Sequence, residues 1–218
     1  MSKVWFIIPA RMGSKRFPFK NRNLVPICIS NLKESWLKKT IISTDDDHIK
    51  NLAISSGIKV HNRSKKNSSD NASMRDTLQE VIADMSIADK DTVVCLYPTY
   101  PERTSDAVES GIKFFNDSKS SSMLCKKDIS THPFLCLEDV GENKGKPFIE
   151  TDLYRWQDFP KCFQYSHFIV ILKAGDIVNL NSQLFNSETV YLNISDPVDV
   201  DNVSDFENYL SRIEKKPS

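Results

Sequence analysis

Five cationic side chains cluster in one short segment near the amino terminus: Arg11, Lys15, Arg16, Lys20 and Arg22. The segment follows an apolar, strand-sized run at residues 4–8. In parallel sheets, ligands bind outside the carboxyl ends of the strands, and the loop after the first strand is a favoured place. Guanidinium and ammonium groups there would bind a polyanion such as a triphosphate. The GxxxxGK[ST] pattern of a Walker A loop is absent, and a solvated basic loop is the alternative.

Two acidic residues near the carboxyl terminus have a spacing that suits a metal ion. Asp199 and Asp201 flank Val200, and alternate side chains of an extended backbone point to the same side. Mg²⁺ prefers oxygen ligands, so two carboxylates and phosphate oxygens would together form a site. The alternative is a pair of solvated acids, or acids that cap the last helix.

Composition narrows the class of protein. The 218 residues contain 29 Lys and Arg against 29 Asp and Glu, so no overall basic field favours nonspecific binding to nucleic acid. The longest apolar runs, residues 4–8 and 168–172, are far shorter than the ~20 residues that span a bilayer. The start of the chain also lacks the pattern of a secretory signal. We therefore expect a cytoplasmic protein with no nucleic acid partner and no membrane contact.

Other features of the sequence suggest no chemistry. The five cysteines form no CxxC pair and no Cys/His group, so neither zinc nor a disulfide framework is expected. The basic pairs Lys65-Lys66 and Lys215-Lys216 are expected at the surface.

Apolar, strand-sized runs alternate with helix-length stretches along the chain. Strands are expected at residues 4–8, 40–43, 59–61, 92–96, 121–125, 168–172 and 189–194. Helices are expected at residues 31–39, from a cap at Thr44 or Asp45 to 56, from Ser73 to 85, at 105–116 and at 203–214, with a polar loop at 10–23. This alternation predicts an α/β fold, namely a Rossmann-like, mostly parallel sheet with helices on both faces, in a single domain over residues 1–218.

Residues 132–161 differ in composition from the rest of the chain. The stretch 141–146 is polar and rich in turn-forming residues. Four aromatic side chains stand among charges in the same region: Phe148, Tyr154, Trp156 and Phe159. We expect a small insertion with a hairpin that serves as a dimerisation arm.

Several motifs, in order along the chain, together resemble one enzyme family. Ile8-Pro9-Ala10-Arg11, followed by Gly13-Ser14-Lys15-Arg16 and by Lys20-Asn21, resembles the signature of the acylneuraminate cytidylyltransferases, the CMP-sialic acid synthetase family. Further segments are similar to that family in the same order: residues 41–46, 70–73, 96–101, 155–160 and 198–201. Tyr97 stands where many sialic acid enzymes have Gln, and in this it resembles the pseudaminic acid branch. The resemblance covers nearly the whole chain.

The resemblance implies a specific reaction. It implies a nucleotidyltransferase domain that transfers CMP from CTP to a sialic acid-like nonulosonic acid, of the N-acetylneuraminate, pseudaminate or legionaminate type, and releases pyrophosphate. It also implies Mg²⁺ as cofactor, an acidic nine-carbon sugar as the second substrate and a homodimer. Two other functions stay open: a cytidylyltransferase for the eight-carbon acid Kdo, and a non-catalytic relative with a degraded sugar site that binds a nucleotide or a partner.

The resemblance also implies roles for individual residues. Those implied in catalysis are Arg11, Lys15, Lys20 and Asp201. Those implied in nucleotide binding are Ala10, Arg11, Ser14, Lys15, Lys20, Asn21, Arg63, Ser73, Pro98 and Thr99. Those implied in sugar binding are Tyr97, Gln157 and Gln164, and those implied in metal binding are Asp199 and Asp201. Simpler alternatives are packing for Tyr97, a surface cation or helix cap for Arg63 and Ser73, and a surface amide for Gln157.

The chain departs from the family pattern in two places. Between Asn21 and Ile41 it is shorter than the family pattern, and the usual Gly-Lys-Pro-Leu step is missing. Residues 164–168 read Gln-Tyr-Ser-His-Phe where the family usually has an Asn-Gly or Ala-Gly turn that contacts the sugar. We therefore expect a first helix that is short and a sugar end of the pocket that is altered.

Overall fold

A seven-stranded sheet dominates the computed structural model, which describes residues 2–214. The strands are β1 (Val4–Pro9), β2 (Thr40–Thr44), β3 (Lys59–Asn62), β4 (Thr92–Cys95), β5 (Ser122–Lys127), β6 (Leu137–Asp139), β7 (Gly145–Pro147), β8 (Gln164–Lys173) and β9 (Val190–Asn193). The helices are α1 (Lys20–Ser30), α2 (Glu34–Leu37), α3 (Asp47–Ser55), α4 (Met74–Asp84), α5 (Ser105–Ser118) and α6 (Val203–Glu214). Every strand expected from the apolar runs is therefore present.

The strand order of the large sheet is β3-β2-β1-β4-β8-β5-β9. β1 pairs in parallel with β2 and β4, β2 pairs in parallel with β3, and β5 pairs in parallel with β9. Among the described strands of this large sheet, β8 alone runs antiparallel to both of its neighbours, β4 and β5. This topology confirms the predicted Rossmann-like, mostly parallel sheet.

Alternate residues of β1 point into apolar cores on opposite faces of the sheet. Ile8 is fully buried in a core that includes Ile49 of α3 and Val108 of α5. Ile7 is fully buried in the other core, which includes Leu78 of α4. A strand that is covered on both faces buries both sets of alternating side chains. Helices on both faces therefore fix the carboxyl end of β1, where the basic segment begins.

The first helix differs from the sequence expectation. Residues 10–23 were expected to form a loop and 31–39 a helix, but α1 begins at Lys20 and ends at Ser30, and α2 adds only one short turn. Pro26 lies inside α1 on its exposed side. An interior proline costs a helix about 3 kcal/mol, so it favours a break. Burial of Leu24, Val25 and Cys28 stabilises the helix nonetheless, because tertiary packing outweighs local propensity.

Two helix caps show how the loops near the sheet edge are fixed. The cap of α3 is Asp46, not Thr44 or Asp45, and its carboxylate accepts a hydrogen bond from the His48 N–H at 2.9 Å. Ser73 caps α4 as predicted, and its hydroxyl accepts from the Asp76 N–H at 3.0 Å. Both side chains satisfy N–H groups that a helix cannot pair internally.

Residues 132–161 contain the hairpin expected there, because β6 and β7 pair antiparallel. Aromatic side chains of this region are open to solvent, with Tyr154 exposed to 86% and Phe148 to 68%. The expected surface pair Lys215-Lys216 lies outside the described residues. Within residues 2–214, none of the helices combines the length and the apolar character needed to cross a membrane.

Candidate active site

A cavity of about 560 Å³ opens at the carboxyl ends of β1 and β4. Eleven residues that the sequence singled out line it: Arg11, Ser14, Lys15, Arg16, Lys20, Asn21, Arg63, Tyr97, Pro98, Thr99 and Asp201. They come from the segment after β1, the first turn of α1, the segments after β3 and β4, and the segment before α6. The fold therefore brings widely separated parts of the sequence to one edge of the sheet, where ligands bind in such folds. We call this space the first cavity.

Asp70 joins two cations of the first cavity. Its carboxylate lies 2.7 Å from Arg11 Nη1 through Oδ1 and 2.7 Å from Lys15 Nζ through Oδ2. The hydrogen bonds from Lys15 and Arg11 hold the pKa of Asp70 below its ordinary value. Arg11 also donates to the carbonyl oxygen of Ser68 at 3.3 Å. These side chains present positive charge to the cavity, and one carboxylate links them.

Asp201 joins the other two cations. Its Oδ1 lies 3.1 Å from Lys20 Nζ, and its Oδ2 lies 3.2 Å from Arg16 Nη2. Lys20 Nζ also donates to the carbonyl oxygen of Val200 at 3.1 Å, and the Lys20 side chain is only 13% exposed. Four cations thus face two carboxylates around the first cavity, which leaves an excess of positive charge for an anion.

Arg22 has a different role from the other cations of the basic segment. It was grouped with them as a candidate ligand of a polyanion, but it binds Asp46 through Nε at 2.8 Å and Nη2 at 3.2 Å. Burial alone would raise the pKa of Asp46, but the hydrogen bonds from Arg22 and from the His48 N–H outweigh it and lower the pKa. Arg22 therefore connects α1 to the start of α3 and leaves the cavity to its neighbours.

Asn21 orders the backbone of the basic segment. Its Nδ2 donates to the carbonyl oxygen of Arg11 at 2.8 Å. Asn21 lies in the first turn of α1, which is fixed in turn by the buried face of that helix. The orientation of Arg11 is thus linked to helix packing, which reduces the reorganisation needed on binding an anion.

Arg63 contributes a buried guanidinium to the lining of the first cavity. The residue is only 8% exposed, and its Nη2 donates to the Thr77 hydroxyl at 2.7 Å. Burial lowers the pKa of Arg63, with a smaller opposing effect from Asp45. Arg63 Nε has no hydrogen-bond partner among the described residues. Arg63 thus adds a positive charge to the lining of the first cavity.

The candidate metal ligands lie on both sides of a buried residue. Val200 is fully buried, and its N–H donates to the carbonyl oxygen of Thr99 at 2.8 Å. Asp201 is close to the cations of the first cavity, whereas Asp199 is exposed and lines a neighbouring cavity. The side chain of Asp201 is 47% exposed. Two accessible carboxylates on one short segment are hard oxygen donors, so their chemistry fits Mg²⁺.

A second cavity of about 380 Å³ adjoins the first. Its lining includes Gln164 and His167 of β8, together with Lys127 and Asp199. The rings of Tyr97, from the first cavity, and His167, from the second, have centroids 5.1 Å apart. Burial lowers the pKa of His167, while a hydrogen bond to the Gln183 carbonyl and the charge of Asp199 oppose this. The altered segment 164–168 therefore does lie beside the first cavity.

Besides Arg22, three residues to which the resemblance gave a role line neither cavity. Ala10 is fully buried, and its carbonyl oxygen accepts from the Thr44 hydroxyl at 2.6 Å. The hydroxyl of Ser73 is used as a helix cap. Gln157 lies in the exposed turn Trp156–Asp158 of the hairpin region. In this subunit, none of these three side chains is placed to contact a ligand in either cavity. Gln157 would reach a site only in a second subunit.

One residue of the first cavity could not be identified as an ion partner from the sequence. Asp70 belongs to a motif, but 59 positions separate it from Arg11, and nothing local signals their contact. The sequence indicates such a partner only indirectly. Cations that cluster at a ligand-binding edge repel one another, so an acidic side chain is expected among them.

Comparisons with known proteins agree with this geometry. The chain is 26% identical to CMP-N,N'-diacetyllegionaminic acid synthase of Legionella pneumophila, over 94% of this chain and 93% of the relative. It is 29% identical to pseudaminic acid cytidylyltransferase of Campylobacter jejuni, over 72% of each chain. The solved structure of CMP:2-keto-3-deoxy-manno-octonic acid synthetase complexed with CTP has the same fold, with a TM-score of 0.69 and 17% identity over 98% of this chain and 99% of that one.

A family model for cytidylyltransferases matches residues 5–123, which is more than half of the 218 residues. The matched part contains the basic segment, the Asp70 loop and the segment after β4, so it includes most of the first cavity. The chain therefore belongs to the cytidylyltransferase family and is a nucleotidyltransferase.

Proposed function

We propose that this protein transfers CMP from CTP to a nonulosonic acid and releases pyrophosphate. The observation that carries the proposal is the cation cluster at the carboxyl end of β1, where Arg11 and Lys15 pair with Asp70 and where Arg16 and Lys20 pair with Asp201. In such a transfer the sugar hydroxyl attacks the α-phosphorus, its bond to the pyrophosphate breaks, and negative charge accumulates on phosphate oxygens. Relatives that are CMP-diacetyllegionaminic acid and pseudaminic acid enzymes support a nonulosonic acid as acceptor.

The triphosphate would take over the charges that Asp70 now neutralises. Arg11, Ser14 and Lys15 would bind phosphate oxygens, with Lys20 nearest the α-phosphate and the bond that breaks. Asn21 supports this arrangement through its hydrogen bond to the Arg11 carbonyl. Cations that are already oriented stabilise developing charge without further reorganisation, and this is the largest single contribution in many enzymes.

The cytosine base of CTP would occupy the part of the first cavity that Arg63, Pro98 and Thr99 line. The guanidinium of Arg63 has only donors, so it suits an acceptor such as a pyrimidine carbonyl oxygen. This supports a base that has a carbonyl oxygen on this side of the cavity.

Asp199 and Asp201 would hold Mg²⁺ together with phosphate oxygens. When bound, the metal would polarise those oxygens and offset part of the triphosphate charge. Asp201 is now paired with Arg16 and Lys20, so phosphate binding to these cations would free its carboxylate for the metal. Gln164 and Tyr97 would contact the acid sugar, for which the second cavity offers space.

Residues 132–161 would join two copies of the chain in a homodimer. Exposed aromatic side chains such as Tyr154, Phe148 and Trp156 support a protein–protein interface here, because clustered solvent-exposed apolar groups mark contact surfaces. Gln157 lies on the same surface and would contribute to the neighbouring subunit's sugar site. The proposed use of CTP supports a cytoplasmic location, where nucleoside triphosphates are available.

Pyrophosphate release tests the proposed function. The purified protein is incubated with Mg²⁺, with CTP, UTP, ATP or GTP, and with each of four acids: N-acetylneuraminate, pseudaminate, N,N'-diacetyllegionaminate and Kdo. We expect release with CTP and at least one nine-carbon acid. Release with Kdo alone would select the eight-carbon alternative, and no release with any pair would point to a non-catalytic relative.

A further inference from the structure

A histidine ring forms the partition between the two cavities. His167 lies on β8, with its ring centroid 5.1 Å from that of Tyr97 and 5.4 Å from that of Tyr165. Tyr97 lines the first cavity, whereas His167 and Tyr165 line the second. Aromatic contacts on two sides limit the rotation of the imidazole. His167 therefore has a fixed orientation at the point where the cavities adjoin.

One hydrogen bond determines which ring nitrogen carries the proton. His167 Nε2 lies 3.1 Å from the carbonyl oxygen of Gln183, and a carbonyl oxygen can only accept. Nε2 therefore carries the hydrogen, and Nδ1 of the neutral ring carries a lone pair. Within residues 2–214, the hydrogen bond to Gln183 is the one that this ring makes. In this tautomer His167, which lines the second cavity, has an acceptor at Nδ1 and uses its ring donor on Gln183.

We propose that His167 is a specificity-determining residue whose Nδ1 accepts a hydrogen bond from a hydroxyl or amide N–H of the acid sugar in the second cavity. The inference rests on the proposed function, because it assigns the second cavity to the acid substrate. Sugar hydroxyl and acylamino groups are hydrogen-bond donors, and a site built to accept from such a group discriminates against an analogue that lacks it.

Two other side chains of the lining already have partners. Lys127 is already paired with Asp196 at 2.6 Å, and Ser166 donates its hydroxyl hydrogen to Tyr100 at 3.3 Å. An acid analogue with no donor at the matching position would leave His167 Nδ1 desolvated and unpaired, which lowers affinity. The acceptor would therefore make this cavity selective among acid sugars. It lies in residues 164–168, which stand where the family usually has a turn that contacts the sugar.

Three variants distinguish the effect of the acceptor on acid binding from the effect of the side chain's shape. In His167→Asn the amide oxygen is bonded to Cγ, as Nδ1 is, so an acceptor is kept. His167→Leu has nearly the same size as the Asn variant but no acceptor. His167→Phe keeps the aromatic contacts with Tyr97 and Tyr165 and also lacks the acceptor, so it remains informative where the Leu variant fails to fold.

The measurements are the equilibrium binding of the four acids named above, the KM of the acid and of CTP, and pyrophosphate release. We expect the Leu and Phe variants to bind the preferred acid roughly tenfold more weakly, the scale of one hydrogen bond, and the Asn variant to stay within about threefold of the original protein. The KM for CTP should be unchanged in all variants. A merely structural role would instead alter both substrates together.

The outcomes distinguish this inference from the proposed function. Wild-type affinity for the acid in the Phe variant would overturn the role of His167, and so would failure of the original protein to bind any of the four acids. Binding of an acid without pyrophosphate release would overturn the proposed function alone, since the comparison of Asn with Leu and Phe would still report on the acceptor.

Discussion

The ammonium group of Lys20 lies 3.1 Å from the carboxylate of Asp201, although 181 positions separate the two residues. Lys20 is the first residue of α1, and Asp201 precedes α6. The contact therefore joins the basic segment after β1 to the acidic segment that follows β9. It assembles opposite charges at the edge of the sheet where a triphosphate and a divalent cation would meet.

Lys20→Ala tests the cation of this pair. We expect pyrophosphate release to fall by about a hundredfold or more, the scale found on removing one preorganised donor from a developing anion. The free energy of unfolding should fall by about 1–2 kcal/mol, because the Val200 carbonyl oxygen and the half-exposed Asp201 carboxylate lose this largely buried donor. The rate is measured with saturating CTP and acid, and the melting temperature by calorimetry.

Lys50→Ala is the matched control for Lys20→Ala. Lys50 lies on α3 and pairs with the exposed carboxylate of Asp47 at 2.9 Å, so its loss should leave the rate unchanged. Equal rates in the two variants would remove Lys20 from the catalytic machinery and favour a solvated basic loop.

Asp201→Asn tests the metal assignment. We expect turnover to fall steeply and the Mg²⁺ concentration for half-maximal rate to rise, because Asn lacks the charge that binds the cation. The melting temperature without metal should decrease slightly, since Arg16 and Lys20 lose their partner. An unchanged Mg²⁺ dependence would contradict the assignment, and Asp47→Asn, at a carboxylate that is 90% exposed, serves as the control.

Local patterns predicted the sheet and several helix starts. The strand β1 was predictable from a short apolar run before Pro9, and the start of α4 from the capping residue Ser73, because both depend on neighbouring residues. The helix α1 was not predicted correctly. Its sequence contains Pro26, and its stability depends on burial of Leu24 and Cys28 against residues distant in the chain.

The candidate site shows the same division between local and distant information. The cations and the Asp199/Asp201 pair were recognisable from their types and spacing. The sequence did not indicate that Arg22 binds Asp46, nor that Asp70 links Arg11 to Lys15. These contacts depend on how the loops converge at the sheet edge, and pairing between charges far apart in sequence has no local signature.

Asp70→Asn should lower the KM for CTP. The carboxylate competes with phosphate for Arg11 and Lys15, so its removal leaves both cations free for the nucleotide. We expect a KM several-fold lower with little change in kcat, because uniform binding alters KM alone. Initial rates over a range of CTP concentrations check this, with Asp106→Asn, at a carboxylate that is 90% exposed, as control. A raised KM would show that Asp70 orients the cations more than it competes.

The pKa of Asp70 gives an independent readout of the same competition. Lys15 and Arg11 lower this pKa below 3.8, so their contribution to stability is present above that pH and is lost as the pH falls through the lowered value. When CTP takes over the two cations, the pKa should rise towards 3.8. Carboxyl ¹³C shifts, followed with and without CTP, measure the change. The same pKa in both states would mean that the nucleotide does not displace Asp70.

Phe148→Asp combined with Tyr154→Asp tests the role of residues 132–161 in assembly. Both side chains are strongly exposed, and charges on an apolar interface oppose association. Light scattering should report a dimer for the original protein and a monomer for the variant, whose KM for the acid should rise because Gln157 leaves the neighbouring site. Ile54→Asp, on α3 and also exposed, should remain a dimer. A fully active monomer of the original protein would refute both the interface and the shared site.

The central claim, transfer of CMP to a nonulosonic acid, is tested most directly by ³¹P NMR of the reaction mixture. The original protein is incubated with Mg²⁺, CTP and each of the four acids, and the phosphorus signals are followed with time. We expect the triphosphate signals to be replaced by pyrophosphate and by one phosphodiester signal of a CMP-linked acid, with a nine-carbon acid as substrate. Persistence of the CTP signals with every acid, or formation of pyrophosphate with free CMP and no phosphodiester, would contradict the account.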